Sequence, residues 1–236
     1  MNTETVPLVE DGVNKPMGSG RRYHSPRRQA QAAATRRAVL SAARELFVGN
    51  GYSATTVANI ARRAEVSQDT VYATVGGKPA LLRALVETAV SGTEEAIPAE
   101  QRDYVSRIRA ATSAREKLGI YAQAITVIQE RMAPIFLALR DAASTDPHCA
   151  ALWTDIAERR AANMLLLAAD LRGTGELRPD LTDQQVADIV WSMNSAEYWM
   201  LLAHERSWTP TQMTEWLTDA WPRLLLVPDT EASADR

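Results

Sequence analysis

Residues 55–82, reading TTVANIARRAEVSQDTVYATVGGKPALL, constrain this chain more than any other stretch. Val57, Ile60, Ala61 and Ala64 recur at i, i+3, i+4 and i+7, which places them on one face of a short helix. The run ends at Ala64, and Glu65-Val66-Ser67 reads as a tight turn in which Ser67 can N-cap a second helix. That second helix has apolar residues only at Val66, Val71 and Val75. Gln68, Asp69, Thr70, Tyr72, Ala73 and Thr74 are polar, small or aromatic groups left to face outward. Two short helices at a steep angle, the second presenting a polar face, make a helix-turn-helix whose second helix suits the DNA major groove. Two core helices joined by a serine turn would give the same local pattern.

Gly76-Gly77-Lys78-Pro79 breaks the chain and restarts it as a helix, with Pro79 in the first turn, where its missing N–H costs nothing. Lys78 thereby falls at a helix N-terminus, where backbone N–H groups and a cation together can hold a phosphate.

Thr55-Thr56-Val57, Ile60-Ala61, Val66-Ser67, Thr70-Val71-Tyr72 and Lys78-Pro79-Ala80-Leu81-Leu82, together with the helix before them, resemble the DNA-binding domain of the TetR (tetracycline repressor-like) family. Two positions depart from that pattern. Glu65 stands where a glycine is common, and Val75 replaces the usual aromatic residue. The resemblance implies an all-α protein: an N-terminal three-helix DNA-binding domain followed by a helical ligand-binding and dimerisation domain. It also implies that the helix beginning at Lys78 is the lever by which a ligand changes the spacing of two recognition helices.

Charge divides along the same line. Residues 1–85 hold 12 Lys and Arg against 6 Asp and Glu, a net +6, whereas residues 86–236 hold 14 against 23, a net -9. A basic N-terminal part joined to an acidic remainder fits one region that meets polyphosphate and another that does not. At 46% apolar and 23% charged residues, the composition is that of a soluble globular protein expected in the cytoplasm. The single cysteine, Cys149, cannot form an internal disulfide. No apolar run approaches the roughly 18 residues of a membrane-spanning helix, so no membrane partner is expected.

In chain order, residues 1–34 read as a disordered arm. Its basic cluster Arg21-Arg22-Tyr23-His24-Ser25-Pro26-Arg27-Arg28 is either a DNA-following arm or a solvated tail, and Met17 is an alternative start. Residues 35–50 form the first helix, with Val39, Leu40, Ala43, Leu46 and Phe47 as its buried stripe and Gly51 as its stop. The DNA-binding domain is placed at 35–82, the helical remainder at 83–227, and a disordered tail at 228–236. Beyond Gly92 the pattern is helical throughout, with helices expected over about 99–111, 114–132, 133–143, 147–172, 182–206 and 209–226.

The last two helices carry the most information in this half. Met213, Trp216, Leu217, Ala220, Trp221, Leu224 and Leu225 form one apolar stripe. The preceding helix has two, through Val186, Ile189, Val190, Met193 and Met200, and through Trp191, Ser195, Trp199 and Leu202. A helix apolar on two faces needs two partners, either both within one chain or one of them a second copy. The resemblance favours a homodimer through these two helices. A dimer also places two recognition helices about 34–36 Å apart, so that they read a palindrome.

Roles follow residue by residue. Gln68 is suited to an adenine edge, and Ala73 or Thr74 to a thymine methyl. Thr55, Thr56, Ser67, Thr70, Tyr72 and Lys78 are phosphate ligands by chemistry. Asp69 either caps the helix dipole or accepts from a cytosine amino group. For a small apolar ligand the candidates are Tyr121, Ile125, Met132, Phe136, Trp153 and Trp191. Asn163, Asn194 and Glu197 are polar groups on or beside apolar faces that need partners if buried. Each of these is equally satisfied as core.

With three His and one Cys, no metal-ligand spacing arises, nor any nucleophile–base set or glycine-rich loop after a strand. No cofactor, metal or catalysis is expected. The expected function is a sequence-specific transcriptional regulator, released from a palindromic DNA operator by a ligand. An activator or a ligand-independent architectural DNA-binding protein would share the same sequence features.

Overall fold

The computed structural model describes residues 26–92, 97, 98 and 101–228, which form helices joined by short turns. The first helix, α1, runs Pro26–Asn50. Residues 26–34, expected in the disordered arm, are instead helical and continuous with the rest of α1. Gln29, Ala30, Gln31, Ala32 and Ala33 are strong helix formers behind a proline in the first turn, and an exposed helix needs no apolar stripe to persist. Further along, Val39, Ala43 and Phe47 are fully buried, as their spacing requires. Of the basic cluster, Arg21 to Ser25 lie outside the described residues.

Next come α2 (Val57–Arg63), α3 (Gln68–Thr74) and α4 (Lys78–Ser91). The turn between α2 and α3 returns two amide bonds, Glu65 N–H to the Arg62 carbonyl and Val66 N–H to the Ala61 carbonyl. This is the Schellman arrangement, and it forces Glu65 to φ 57°. The position prefers glycine because a Cβ in the left-handed region crowds the backbone. Glu65→Gly is accordingly expected to raise the unfolding free energy by about 0.5–1 kcal/mol, read from a denaturant midpoint. An unchanged or lower midpoint would contradict it.

The C-terminal half is built around α6 (Ala114–Ala143), which touches α1, α4, α5 (Asp103–Ala110), α7 (Pro147–Arg172), α9 (Ala196–Trp199) and α10 (Pro210–Leu225). The sequence pattern places a break at Pro134, yet α6 runs through it. A proline inside a helix costs about 3 kcal/mol. Burial of Met132, Ala133, Ile135, Phe136 and Leu139 on both sides contributes more, at about 1.5–3 kcal/mol for each large side chain.

The expected helix over 182–206 is instead broken. α8 covers Asp183–Met193 and α9 Ala196–Trp199, followed by one π-turn over Met200–His204. Ser195 N-caps α9 by accepting from Tyr198 N–H at 3.1 Å, a local alternative to continuing the helix. The break turns Asn194 inward, and beyond it Trp199 is buried while Leu201 is exposed. α10 (Pro210–Leu225) opens with a Thr209/Gln212 capping box and buries Met213, Leu217, Trp221 and Leu225. Of the expected tail, 228–236, all but Pro228 lies outside the described residues. Among the described residues no helix is long and apolar enough to cross a membrane.

The two halves of the molecule meet at a compact polar contact. The Tyr52 hydroxyl, from the α1–α2 loop, donates to Asp146 Oδ2 at 2.6 Å. Asp146 is also the N-cap of α7, accepting from His148 N–H. The Tyr52 hydrogen bond, first among the causes, holds the Asp146 carboxyl below its ordinary range. A depressed folded pKa contributes stability above the unfolded value and loses it as pH falls through the folded one. This contact is thus complete at neutral pH and fades below about pH 4. Tyr52→Phe should cost about 0.5–1.5 kcal/mol at pH 7, with a smaller difference from wild type at pH 3. A loss independent of pH would contradict this coupling.

Candidate nucleic-acid interface and ligand cleft

The helix-turn-helix is held from beneath and open above. Val71 of α3 is fully buried, with Val66 and Val75 partly buried beside it. Gln68, Asp69, Tyr72 and Ala73 face out, Tyr72 with 55% of its surface exposed. Ser67 Oγ accepts from Thr70 N–H at 3.1 Å and lies 2.8 Å from the Thr70 hydroxyl, so the helix start is fixed by its own side chains. Thr56 caps α2 through Asn59 N–H. At the other end of α3, Arg36 Nη1 reaches across from α1 to the Thr74 carbonyl at 3.2 Å, satisfying an end group of the helix.

Thr55 is corrected. It is 1% exposed, and its hydroxyl engages the Leu46 and Gly51 carbonyls at 3.0 and 2.8 Å. Its role is to tie the end of α1 to the turn, not to meet phosphate. Lys78 is half-buried with Nζ 4.0 Å from the centroid of the Tyr52 ring, a cation–π contact that aims it. Asp69 occupies the first turn of α3, consistent with dipole stabilisation.

The expected ligand residues do not form one set. Tyr121 and Asn163 line a cleft of about 380 Å³ among α5, α6 and α7, together with Tyr104, Ile108, Arg160 and Met164. This volume suits a small molecule. Ile125 and Asn194 instead line a void of about 10 Å³, too small for anything beyond a water-sized guest. Phe136 and Trp153 stack on each other at 4.5 Å. Met132 is buried core. Trp191 lies under the Arg160 guanidinium, 5.1 Å from its ring centroid. Glu197 is a surface partner of Arg140 at 3.1 Å. Ile125, Met132, Phe136, Trp153, Trp191, Asn194 and Glu197 are therefore absent from the cleft lining.

Asn194 is 3% exposed and satisfied in the core: Nδ2 donates to the Tyr121 hydroxyl at 2.8 Å, and Oδ1 accepts from Arg160 Nη2 at 2.6 Å. Its carbonyl accepts from Gln129 Nε2. Burial pushes the Tyr121 hydroxyl pKa well up, keeping it neutral. Arg160 is a cleft residue that the sequence reading misses, although a signal for it exists. It falls four residues after Ile156 and four before Met164, inside the apolar stripe of α7.

An outward polar helix on a rigid three-helix base, with a separate cleft in a helical domain behind it, defines a helix-turn-helix transcriptional regulator. The sequence match is more particular. Residues 39–85 match the family of bacterial regulatory proteins, tetR family, so the chain carries a TetR-family DNA-binding domain on the helical fold of those regulators.

Among solved structures, the fold is similar to that of NalD, the secondary repressor of the MexAB-OprM multidrug efflux pump in Pseudomonas aeruginosa. That likeness has a TM-score of 0.65 at 20% identity over 84% of this chain and 100% of the other. SmeT in complex with triclosan is similar with a TM-score of 0.59 at 17% identity, over 83% and 93% of the two chains. A Saccharomonospora viridis protein in complex with choline gives 0.61 at 18%, over 81% and 97%. At these identities the likeness is one of fold. Among curated proteins none matches this sequence.

Proposed function

We propose that this chain is a cytoplasmic homodimeric repressor that binds a palindromic operator and releases it when a small molecule occupies the cleft among α5, α6 and α7. The observation that carries the reading is the exposed face of α3, Gln68, Tyr72 and Ala73, on a helix immobilised by Val71, the Ser67 cap and Arg36. Gln68 reads a base edge; Tyr72, Thr56 and Lys78 hold phosphates and set register. Ser67 and Thr70 support them through the cap, and the short Thr74 and Ala73 side chains lie where a thymine methyl can approach. NalD is named as a repressor, and SmeT and the Saccharomonospora viridis protein hold small molecules, which supports repression and ligand response here.

The second copy docks on the last helices. Leu201, Trp216 and Leu224 are 52%, 40% and 42% exposed, and a face of large apolar groups gains about 25 cal/mol for each Å² it buries. Trp216 is pre-oriented by donating from Nε1 to the Tyr198 hydroxyl at 2.6 Å. Sedimentation equilibrium should give about twice the 25.9 kDa chain mass for wild type and the single mass for Trp216→Glu. A monomeric wild type, or a dimeric variant, would contradict this interface. Release follows only if the ligand prefers the conformation whose recognition helices miss the groove spacing.

A further inference from the structure

Arg160 stands where α7 is otherwise apolar, between buried Ile156 and Met164. Its guanidinium carbon is 5.1 Å from the Trp191 ring centroid and 5.8 Å from that of Phe136. Burial lowers its pKa from the ordinary arginine value, which reports a cation short of solvent. Both of its hydrogen bonds leave from Nη2, to Asn194 Oδ1 at 2.6 Å and the Trp191 carbonyl at 3.3 Å. Nε and Nη1 have no hydrogen-bond partner among the described residues, and neither Nη2 partner is charged.

The acids around it are already engaged. Glu197, whose charge acts on Arg160, is held by Arg140 at 3.1 Å. Asp170, the one acid among the described residues that lines the cleft, is held by the buried Lys117 at 2.8 Å; Lys117 Nζ also donates to the Ile108 carbonyl at 2.7 Å. Arg160 is thus a part-buried positive charge with no carboxylate of its own among the described residues, at the wall of a cleft that Arg109 also lines. A cation taken from water is stabilised most by an anion that reaches it in the same low-dielectric place. A planar guanidinium is matched to the two oxygens of a carboxylate or sulfonate. Tyr121 and Asn163 line the same cleft as neutral polar groups, while Ile108, Met164 and Leu167 form its apolar side.

We propose that the cleft takes a small apolar anion, a carboxylate or sulfonate on an aromatic or alkyl body, with the anionic head on Arg160 and the body along Ile108, Met164 and Leu167. The inference rests on the reading of this cleft as the ligand site and supplies the ligand class. It excludes a quaternary ammonium compound such as the choline bound by the Saccharomonospora viridis protein.

Two fluorescent probes share a skeleton and differ by one charge: 1-anilinonaphthalene-8-sulfonate and neutral N-phenyl-1-naphthylamine. Titrated into the full-length protein, the sulfonate should bind Arg160→Gln roughly ten- to a hundredfold more weakly than wild type, the size of a lost charge-assisted hydrogen bond. The neutral probe should change by less than about threefold, and Arg160→Lys should fall between. Asn163→Trp, which fills the cleft mouth, should weaken both probes. Equal losses of both probes in Arg160→Gln, or undiminished binding in Asn163→Trp, would overturn the proposal.

Should Arg160→Gln fail to fold, wild type alone decides. Decanoate must displace the sulfonate probe at a concentration at least about tenfold below that needed with 1-decanol; the reverse order overturns the site. Operator release is measured separately. Arg160-dependent anion binding without release would sink the inducer role and leave the anion site standing. Release by decanoate that persists in Arg160→Gln would overturn the site and leave the repressor reading intact.

Discussion

Trp221→Ala is expected to lower the unfolding free energy by about 3–5 kcal/mol, the loss typical of a large aromatic side chain removed from a packed core. Trp221 is fully buried on the inner face of α10 and stacks on Tyr121 of α6 with centroids 5.6 Å apart and planes at 16°. Truncation removes that stack, leaves a cavity between two long helices, and loosens the Tyr121 hydroxyl that Asn194 donates to. The damage therefore reaches the floor of the cleft as well as the α6–α10 packing. Total stabilities are of order 5–15 kcal/mol, so the variant should populate unfolded chain at moderate temperature. Calorimetry or a denaturant titration checks it. A loss below about 1 kcal/mol would mean that α10 packs elsewhere.

The second large effect concerns DNA. Tyr72→Ala combined with Lys78→Ala is expected to weaken binding to a selected operator by at least about a hundredfold, since each side chain acts twice in a dimer. The salt dependence should also fall, by about one in the log–log slope for each phosphate contact removed. Gln68→Ala should behave differently, relaxing preference at one base position per half-site with an unchanged slope. Lys78 lies over the Tyr52 ring, and Tyr52 reaches Asp146 at the start of α7. Lys78 and the junction between the two halves of the molecule are consequently one structural unit. Arg160 sits further along the same helix α7, whose N-terminal end touches the DNA-binding domain.

The helix-turn-helix was legible because its determinants are local. Ser67 caps its own helix, Val71 falls on the one buried position, and Glu65-Val66-Ser67 forms the turn between the two helices, with Glu65 at positive φ. The terminal apolar stripe was visible for the same reason, as a periodicity within a few turns, and the charge division is a sum over each part of the chain that needs no structure to count.

What escaped depended on distant packing or on an absence of pattern. The extension of α1 to Pro26 has no apolar period, only residues that favour helix. The passage of α6 through Pro134 was decided by burial on either side, which a local rule about proline does not register. At Asn194-Ser195 a polar pair ended one helix and capped the next inside a stretch that otherwise keeps its helical pattern of apolar residues. Of the residues named for a ligand, only Tyr121 and Asn163 line the cleft, while Phe136 is core and Trp153 and Trp191 pack against it. Large apolar groups are what both a core and a pocket are made of, so size alone cannot separate them. The better signal was a charge in an apolar stripe, Arg160, which the core has no use for without a partner. Thr55 shows the converse, a polar residue beside the DNA face whose hydroxyl is consumed by two backbone carbonyls.

The central claim, a dimer reading a palindrome through α3, is tested most directly by selecting bound duplexes from a random pool at near-physiological salt, with wild type and the Tyr72→Ala, Lys78→Ala protein side by side. The account predicts an inverted repeat with half-sites centred about one helical turn apart for wild type, and its loss or severe weakening in the variant. Salt-sensitive binding without an enriched sequence, equal for the two proteins, would contradict it and indicate a sequence-blind DNA-binding protein.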